Sequence, residues 1–114
     1  MSLLKKIRRQ DAVYWEAFAQ NRSGEYLFQP GIDVKVRWEE TFGIVYNALG
    51  ESVNFTSRIF VDRVMPRGSK LLKDSTTSDL DQLGTPDPLA RNIKQFKDIP
   101  QKSPIKEHIL IAYV

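Results

Sequence analysis

Ile32-Asp33-Val34-Lys35-Val36-Arg37-Trp38 decides how this chain is read, because apolar side chains at 32, 34, 36 and 38 alternate with Asp33, Lys35 and Arg37. Successive side chains of a strand point to opposite faces. The run therefore predicts a half-buried antiparallel strand, with four apolar groups packed and three charges in water. Val53 to Asp62 repeats the pattern, placing Val53, Phe55, Ile59 and Val61 on one face and Asn54, Thr56 and Arg58 on the other. Two such strands need a common core.

The punctuation around them is that of a small all-β domain. Pro30-Gly31 opens the first strand and Gly43 marks a loop beyond Glu39-Glu40-Thr41-Phe42. Ile44 to Tyr46 reads as a short apolar piece, and Asn47 to Ser52 as the turn into the second strand. Upstream, Asp11 to Ala19 is rich in aromatic residues and predicts a strand with Val13 and Trp15 on one face and Tyr14, Glu16 and Phe18 on the other. Asn21-Arg22-Ser23-Gly24 then supplies turn residues. Downstream, Met65-Pro66-Arg67-Gly68 is a turn and Lys70 to Lys73 a further short strand. His108 to Val114 is a compact apolar run expected to end the chain as a strand. Asp87-Pro88 resembles an N-cap and first helical position, which allows a short helix over Pro88 to Phe96 with Leu89, Ile93 and Phe96 on one side. The fold class expected is mainly β, a small antiparallel β-barrel with long loops and room for one short helix.

The 114 residues suit one domain over 11–114, preceded by a flexible basic arm, 1–10. With 41% apolar and 27% charged residues the composition is that of a soluble globular protein, and no apolar run suggests a membrane span. The N-terminus has too short an apolar stretch for a secretory signal, so an intracellular location is expected. The absence of cysteine excludes disulfides, thiolate nucleophiles and Cys-ligated zinc. Lys5, Lys6, Arg8 and Arg9 lie in the first ten residues with no acid beside them; taking these four from the 17 basic residues leaves 13 against 14 acidic. The net charge of +3 therefore belongs to the arm, which is placed to contact an anionic partner such as DNA or an acidic protein surface.

Residues 74–88 change in composition, with Ser75-Thr76-Thr77-Ser78 and Gly84-Thr85-Pro86-Asp87-Pro88 and little to bury beyond Leu80 and Leu83. Loops longer than about 12 to 15 residues are usually functional or disordered, which makes Asp79, Leu80 and Leu83 candidate partner-binding residues alongside the basic arm. Reactive chemistry is sparse. His108, the only histidine, has no nucleophile or metal-ligand spacing near it and reads as structural or surface-exposed. Glu39 and Glu40, as strand neighbours, face opposite ways and read as solvated loop charges, not an acid/base pair. Asp79 and Asp81 do not complete a calcium loop, and the glycines form no phosphate-cradling motif. No cofactor or metal and no enzymatic activity are expected. Of Trp15, Trp38, Phe55 and Phe60 as a base-stacking platform, Trp38 and Phe55 fit core packing better, whereas Phe60 shares a face with Asn54, Thr56 and Arg58 as an exposed contact residue unless that face is covered by the helix or the long loop.

The order of Val36 to Glu40, Phe55 to Asp62, the turn near Gly68, Ala90 to Phe96 and Ile109 to Val114 resembles the small head-tail joining or head-closure proteins of long-tailed bacteriophages and prophages. The resemblance covers roughly Asp11 to the C-terminus. It implies a small β-barrel with one or two long loops and a non-enzymatic role. It further implies that copies join as a ring below the portal and adaptor after DNA packaging, closing the filled capsid and presenting a surface to the tail. The expected partners are then portal or adaptor and tail proteins and other copies of the chain, with assembly in the bacterial cytoplasm before incorporation into the virion; contact with packaged DNA is an expectation from the basic arm and not from the resemblance. It carries no motif-defined contact residue, and the arm Lys5 to Arg9 has no counterpart in it. The residues alone leave a competing expectation, a single-stranded nucleic-acid-binding barrel in which the arm supplies charge and Phe60 or Tyr14 stacks on bases.

Overall fold

A computed structural model describes residues 10–100 and 108–114, with the side chains of Pro100 and His108 outside that description. The basic residues Lys5, Lys6, Arg8 and Arg9 also lie outside the described residues. The strands are β1 (Gln10–Trp15), β2 (Ala17–Gln20), β3 (Tyr26–Phe28), β4 (Ile32–Tyr46), β5 (Ser52–Val61), β6 (Lys70–Lys73), β7 (Arg91–Asn92), β8 (Gln95–Pro100) and β9 (His108–Tyr113), with one 3-10 turn at Thr77–Asp79. Seven form an antiparallel sheet in the order β7-β6-β1-β4-β5-β9-β8, and β2 and β3 form a separate hairpin. The chain is mainly β, built of antiparallel sheets, as its alternation predicts.

β4 is the spine of the sheet. Its first half pairs with β1, from Tyr14 opposite Ile32 to Gln10 opposite Val36, and its second half with β5, from Arg37 opposite Phe60 to Tyr46 opposite Ser52. Val34, Val36 and Trp38 point into the main core, where they meet Ala12 and Tyr14 of β1, Ile59 and Val61 of β5, Leu71 of β6, Ala112 of β9, and Met65, Ile93 and Val114. Ile32, expected on the same face, is 42% exposed because it sits at the strand's entry, beyond the core's edge.

β1 is buried on both faces. Val13 and Trp15 point away from the main core into a second cluster with Leu72, covered by Phe28, Leu80 and Ala90. The Trp15 indole N–H donates to the Leu83 carbonyl at 2.9 Å. Burying an aromatic side chain of this size stabilises the fold by roughly 4 to 6 kcal/mol at about 25 cal/mol per Å². The single strand expected over Asp11 to Ala19 breaks at Glu16, where the chain leaves the large sheet to pair as β2 with β3. Gln10, assigned by its sequence to the arm, is the first residue of β1, and its side-chain oxygen accepts from the Trp38 backbone N–H.

Among the described residues the strand ladder runs from β7 to β8. Its two outer members, β7 and β8, are one stretch of chain separated only by Ile93 and Lys94. Ile93 N–H donates to Ser69 O at 2.8 Å and its carbonyl accepts from Gly68 N–H at 3.0 Å, while Lys94 N–H donates to Tyr113 O at 2.7 Å. The segment Arg91–Pro100 therefore bridges both edges of the sheet. This geometry replaces the helix expected over Pro88 to Phe96. Asp87 does cap, accepting the Leu89 N–H at 2.8 Å, but only a single turn follows before the two sheet edges recruit the backbone into extended pairing.

Gly68 permits the β2–β3 hairpin to dock. Its φ of +92° is a conformation that L side chains rarely adopt, and a β-carbon there would collide with the Tyr26 ring. Gly68→Ala is expected to destabilise the protein by about 1–3 kcal/mol, read as a lowered urea midpoint with an unchanged slope. An unchanged midpoint would show that the hairpin does not depend on this approach.

Candidate interaction surface

One residue too many in β4 separates scaffold from surface. Glu40 opposes Ser57 and Gly43 opposes Phe55, so three steps along β4 match two along β5, the mark of a β-bulge. Even-numbered side chains point inward before the bulge, at Val34, Val36 and Trp38, whereas Val45 is the buried one after it. The apolar residues that keep the even parity are thereby turned out, leaving Phe42 86%, Ile44 58% and Tyr46 61% exposed. Their cross-strand neighbours, Asn54 opposite Ile44 and Ser52 opposite Tyr46, are small and polar and cover none of them.

The tip extends the same apolar surface. Asn47 Oδ1 accepts from the N–H groups of Leu49 and Glu51, each at 3.0 Å, and fixes the turn. Leu49 is held at its end, 85% exposed. Beneath, the Phe55 ring lies directly on Gly43, where a β-carbon would come 2.5 Å from Cζ, and meets Tyr113 edge-on at 4.7 Å. The hairpin is thus anchored on Val45, Phe55, Ile111 and Tyr113 while its outer face remains apolar. Full burial of each exposed side chain would contribute about 1.5–3 kcal/mol, an interaction energy available to a partner.

At the hairpin base the two adjacent acids face opposite ways, as their strand positions require, but each is engaged, in contrast to the solvated loop charges expected. Glu39 binds Arg58 at 3.0 Å and Arg37 at 3.5 Å. Glu40 accepts from the buried Ser57 hydroxyl at 2.6 Å and pairs with Lys73 at 3.2 Å and Arg91 at 3.6 Å. Arg91 also donates to Ser57 Oγ at 2.8 Å, and the Lys73 and Arg91 cations lie 5.8 and 5.7 Å from the centre of the Trp38 ring. Glu40, Ser57, Lys73 and Arg91 tie β4, β5, β6 and β7 together. The Ser57 hydrogen bond, aided by Lys73 and Arg91, holds the Glu40 carboxyl below its ordinary range.

The candidate residues of the 74–88 loop serve the scaffold. Asp79 Oδ2 accepts from the Thr76 N–H at 3.0 Å and hydroxyl at 3.2 Å, closing the 3-10 turn on itself. Leu80 packs on the Val13–Trp15 cluster, and the Leu83 carbonyl accepts from Trp15 and from Gly31 N–H at 2.7 Å. Thr77 is tied to Asp33 of β4 through both its N–H and its hydroxyl. The loop is therefore fastened to the sheet at several points. Where it passes the β2–β3 hairpin, Gly84, Thr85 and Pro86 form one wall of an open groove of about 530 Å³ whose other walls are Phe18, Tyr26, Leu27, Phe28 and Lys70. Among the described residues no group of three or more His, Asp or Glu is arranged to hold a metal, and no helix is long and apolar enough to cross a membrane.

Locally the hairpin surface is masked, because Gly43 after Glu39-Glu40-Thr41-Phe42 reads as a loop residue. An isolated glycine in a strand pattern also signals a bulge, and the unbroken even parity of Phe42, Ile44 and Tyr46 with Trp38 was the second sign. Comparison with known protein families, with curated proteins and with solved structures finds no match to this chain.

Because the folded state holds Glu40 more acidic than an unfolded chain would, its contribution is present above the ordinary carboxylate pKa of about 4.3 and is lost as pH falls through the lowered folded value. Thermal melts between pH 6 and pH 3 should show Glu40→Gln with a shallower loss of stability below about pH 4.3 than the parent. Identical slopes would remove Glu40 from the acid response.

Proposed function

We propose that this chain is a structural head-tail joining or head-closure protein of a long-tailed bacteriophage or prophage, acting by binding and not by catalysis. In this reading copies join as a ring below the portal and adaptor, close the filled capsid and offer a surface to the tail, assembling in the host cytoplasm and remaining in the virion. The observation that carries an assembly role is the exposed row Phe42, Ile44, Tyr46 and Leu49 on an anchored hairpin. A contiguous apolar strip of this kind on a small domain marks an interaction site. The order and spacing of the segments along the chain support the phage assignment. The reactive side chains at the hairpin base are consumed in mutual pairing, which accords with a scaffold.

The competing nucleic-acid reading loses one of its stacking groups. Tyr14 is 2% exposed in the main core, where burial also pushes its hydroxyl pKa up, so its ring is not presented to a base. Phe60 is half-buried on the cluster of Val45, Phe55, Ile111 and Tyr113, with the Arg58 guanidinium 5.9 Å from its ring centre.

The protein should bind the portal–adaptor complex encoded beside its gene, giving an additional ring of density in electron micrographs of the mixture. Phe42→Ser with Leu49→Ser should leave stability within about 0.5 kcal/mol of the parent, both sites being exposed, while weakening that binding at least tenfold. A gene neighbourhood without portal, capsid and tail genes, or a portal complex that does not retain the protein, would overturn the assignment.

A further inference from the structure

The hairpin and the groove are two halves of one contact. We infer that the Phe42–Leu49 hairpin of one copy docks in the groove between the β2–β3 hairpin and Gly84–Pro86 of the next. The inference rests on the ring-subunit reading for its biological setting, but its argument is the surface itself. One feature is convex and apolar, with Phe42 and Leu49 each at least 85% exposed. The other is concave and aromatic, walled by Phe18, Tyr26, Leu27, Phe28 and Pro86, with Phe18 still 55% exposed. The two share no residue, so a single copy presents both at once.

Charge matches them in the same sense. Glu51 is the sole charged residue from Thr41 to Ser52. The groove's sole charged wall residue is Lys70, which lies 5.8 Å from the centre of the Phe28 ring and forms no ion pair among the described residues. The surface available sets the strength. Aromatic side chains bury about 150–250 Å² each when fully covered, and with the smaller Ile44 and Leu49 the exposed parts of the four hairpin residues offer roughly 500 Å² per copy. With a similar share from the groove the total is roughly 1,000 Å², below the about 1,200 Å² of stable specific interfaces and in the range of transient ones. Association is therefore weak between free copies and becomes effective where copies are concentrated, as on a templating ring. Because different patches meet, the contact is head-to-tail, the kind that propagates into a ring or filament and not a two-fold dimer.

Sedimentation of the purified chain over a concentration series should show reversible self-association. Phe42→Asp in the hairpin and Phe18→Asp in the groove should each weaken it at least tenfold, with circular dichroism and melting temperature showing that both remain folded. Mixing is the decisive arm: the first variant keeps an intact groove and the second an intact hairpin, so the equimolar mixture should form a heterodimer that stops there. Should Phe18→Asp not fold, Lys70→Glu takes its place, and mixing it with Glu51→Lys should restore association in which the two variants alternate. A chain that remains monomeric at every concentration overturns the contact, as does association that Phe42→Asp abolishes but both groove variants leave intact. Portal binding separates the two ideas. Loss of portal binding with self-association preserved would sink the head-joining reading and leave this contact standing.

Discussion

The extra residue between Glu40 and Gly43 is the constraint on which the rest depends. β4 must serve two incompatible demands, since its first half fills a core shared with β1 while its second half carries a hairpin beyond that core. A regular strand would keep Phe42, Ile44 and Tyr46 on the face of Val34, Val36 and Trp38 and bury them. The bulge reverses the phase, so the same periodicity that packs the scaffold before it builds a surface after it. Val45 and Phe55 then anchor what the bulge turns out, and Gly43 is the position where the Phe55 ring needs the space of a missing β-carbon.

A hairpin that projects in this way is useful only if its base does not yield. Ile93 and Lys94 secure the sheet's two edges through opposite directions of backbone bonding, to Gly68 and Ser69 on one side and Tyr113 on the other. Two otherwise open edges, which would be exposed to pairing with foreign strands, are thereby occupied by the protein's own chain. The polar group around Ser57 acts on the same region. Glu40, Lys73 and Arg91 come from three different strands and meet over Trp38, so they resist separation of those strands at the point where the hairpin departs.

How much of this was legible follows from the range of each interaction. The alternation at Ile32 to Trp38 and Val53 to Val61 located β4 and β5 because strand burial is written locally, in period two. β6 and β9 were legible for the same reason. The helix expected over Pro88 to Phe96 failed because its local signal, Asp87-Pro88, governs one turn only, while Ile93 is claimed by partners 24 and more residues away in Ser69 and Gly68. The groove was invisible because Phe18, Tyr26, Pro86 and Lys70 are brought together only by the fold. Leu80 and Leu83 were rightly singled out as the loop's buriable residues. A loop poor in apolar groups uses those it has to attach itself: Leu80 packs on the Val13–Trp15 cluster, and the Leu83 carbonyl accepts from Trp15 and Gly31.

A mobile segment that orders on binding must give up conformational entropy of about 1–2 kcal/mol per residue, which offsets much of what its contacts contribute. The Phe42–Leu49 surface has already met that cost during folding, through the strand pairing of β4 with β5 and the two hydrogen bonds that Asn47 supplies to the turn. The same holds for the groove, whose wall Gly84–Pro86 follows directly on the Leu83 carbonyl that Trp15 and Gly31 hold in place. Binding surfaces fixed in advance lose little on association, so even a contact of modest area retains most of its hydrophobic gain. For a protein that would have to add copies in one geometry, this is the stronger physical arrangement. The loop Asp74 to Pro88, fastened at those points, supplies one wall of the groove.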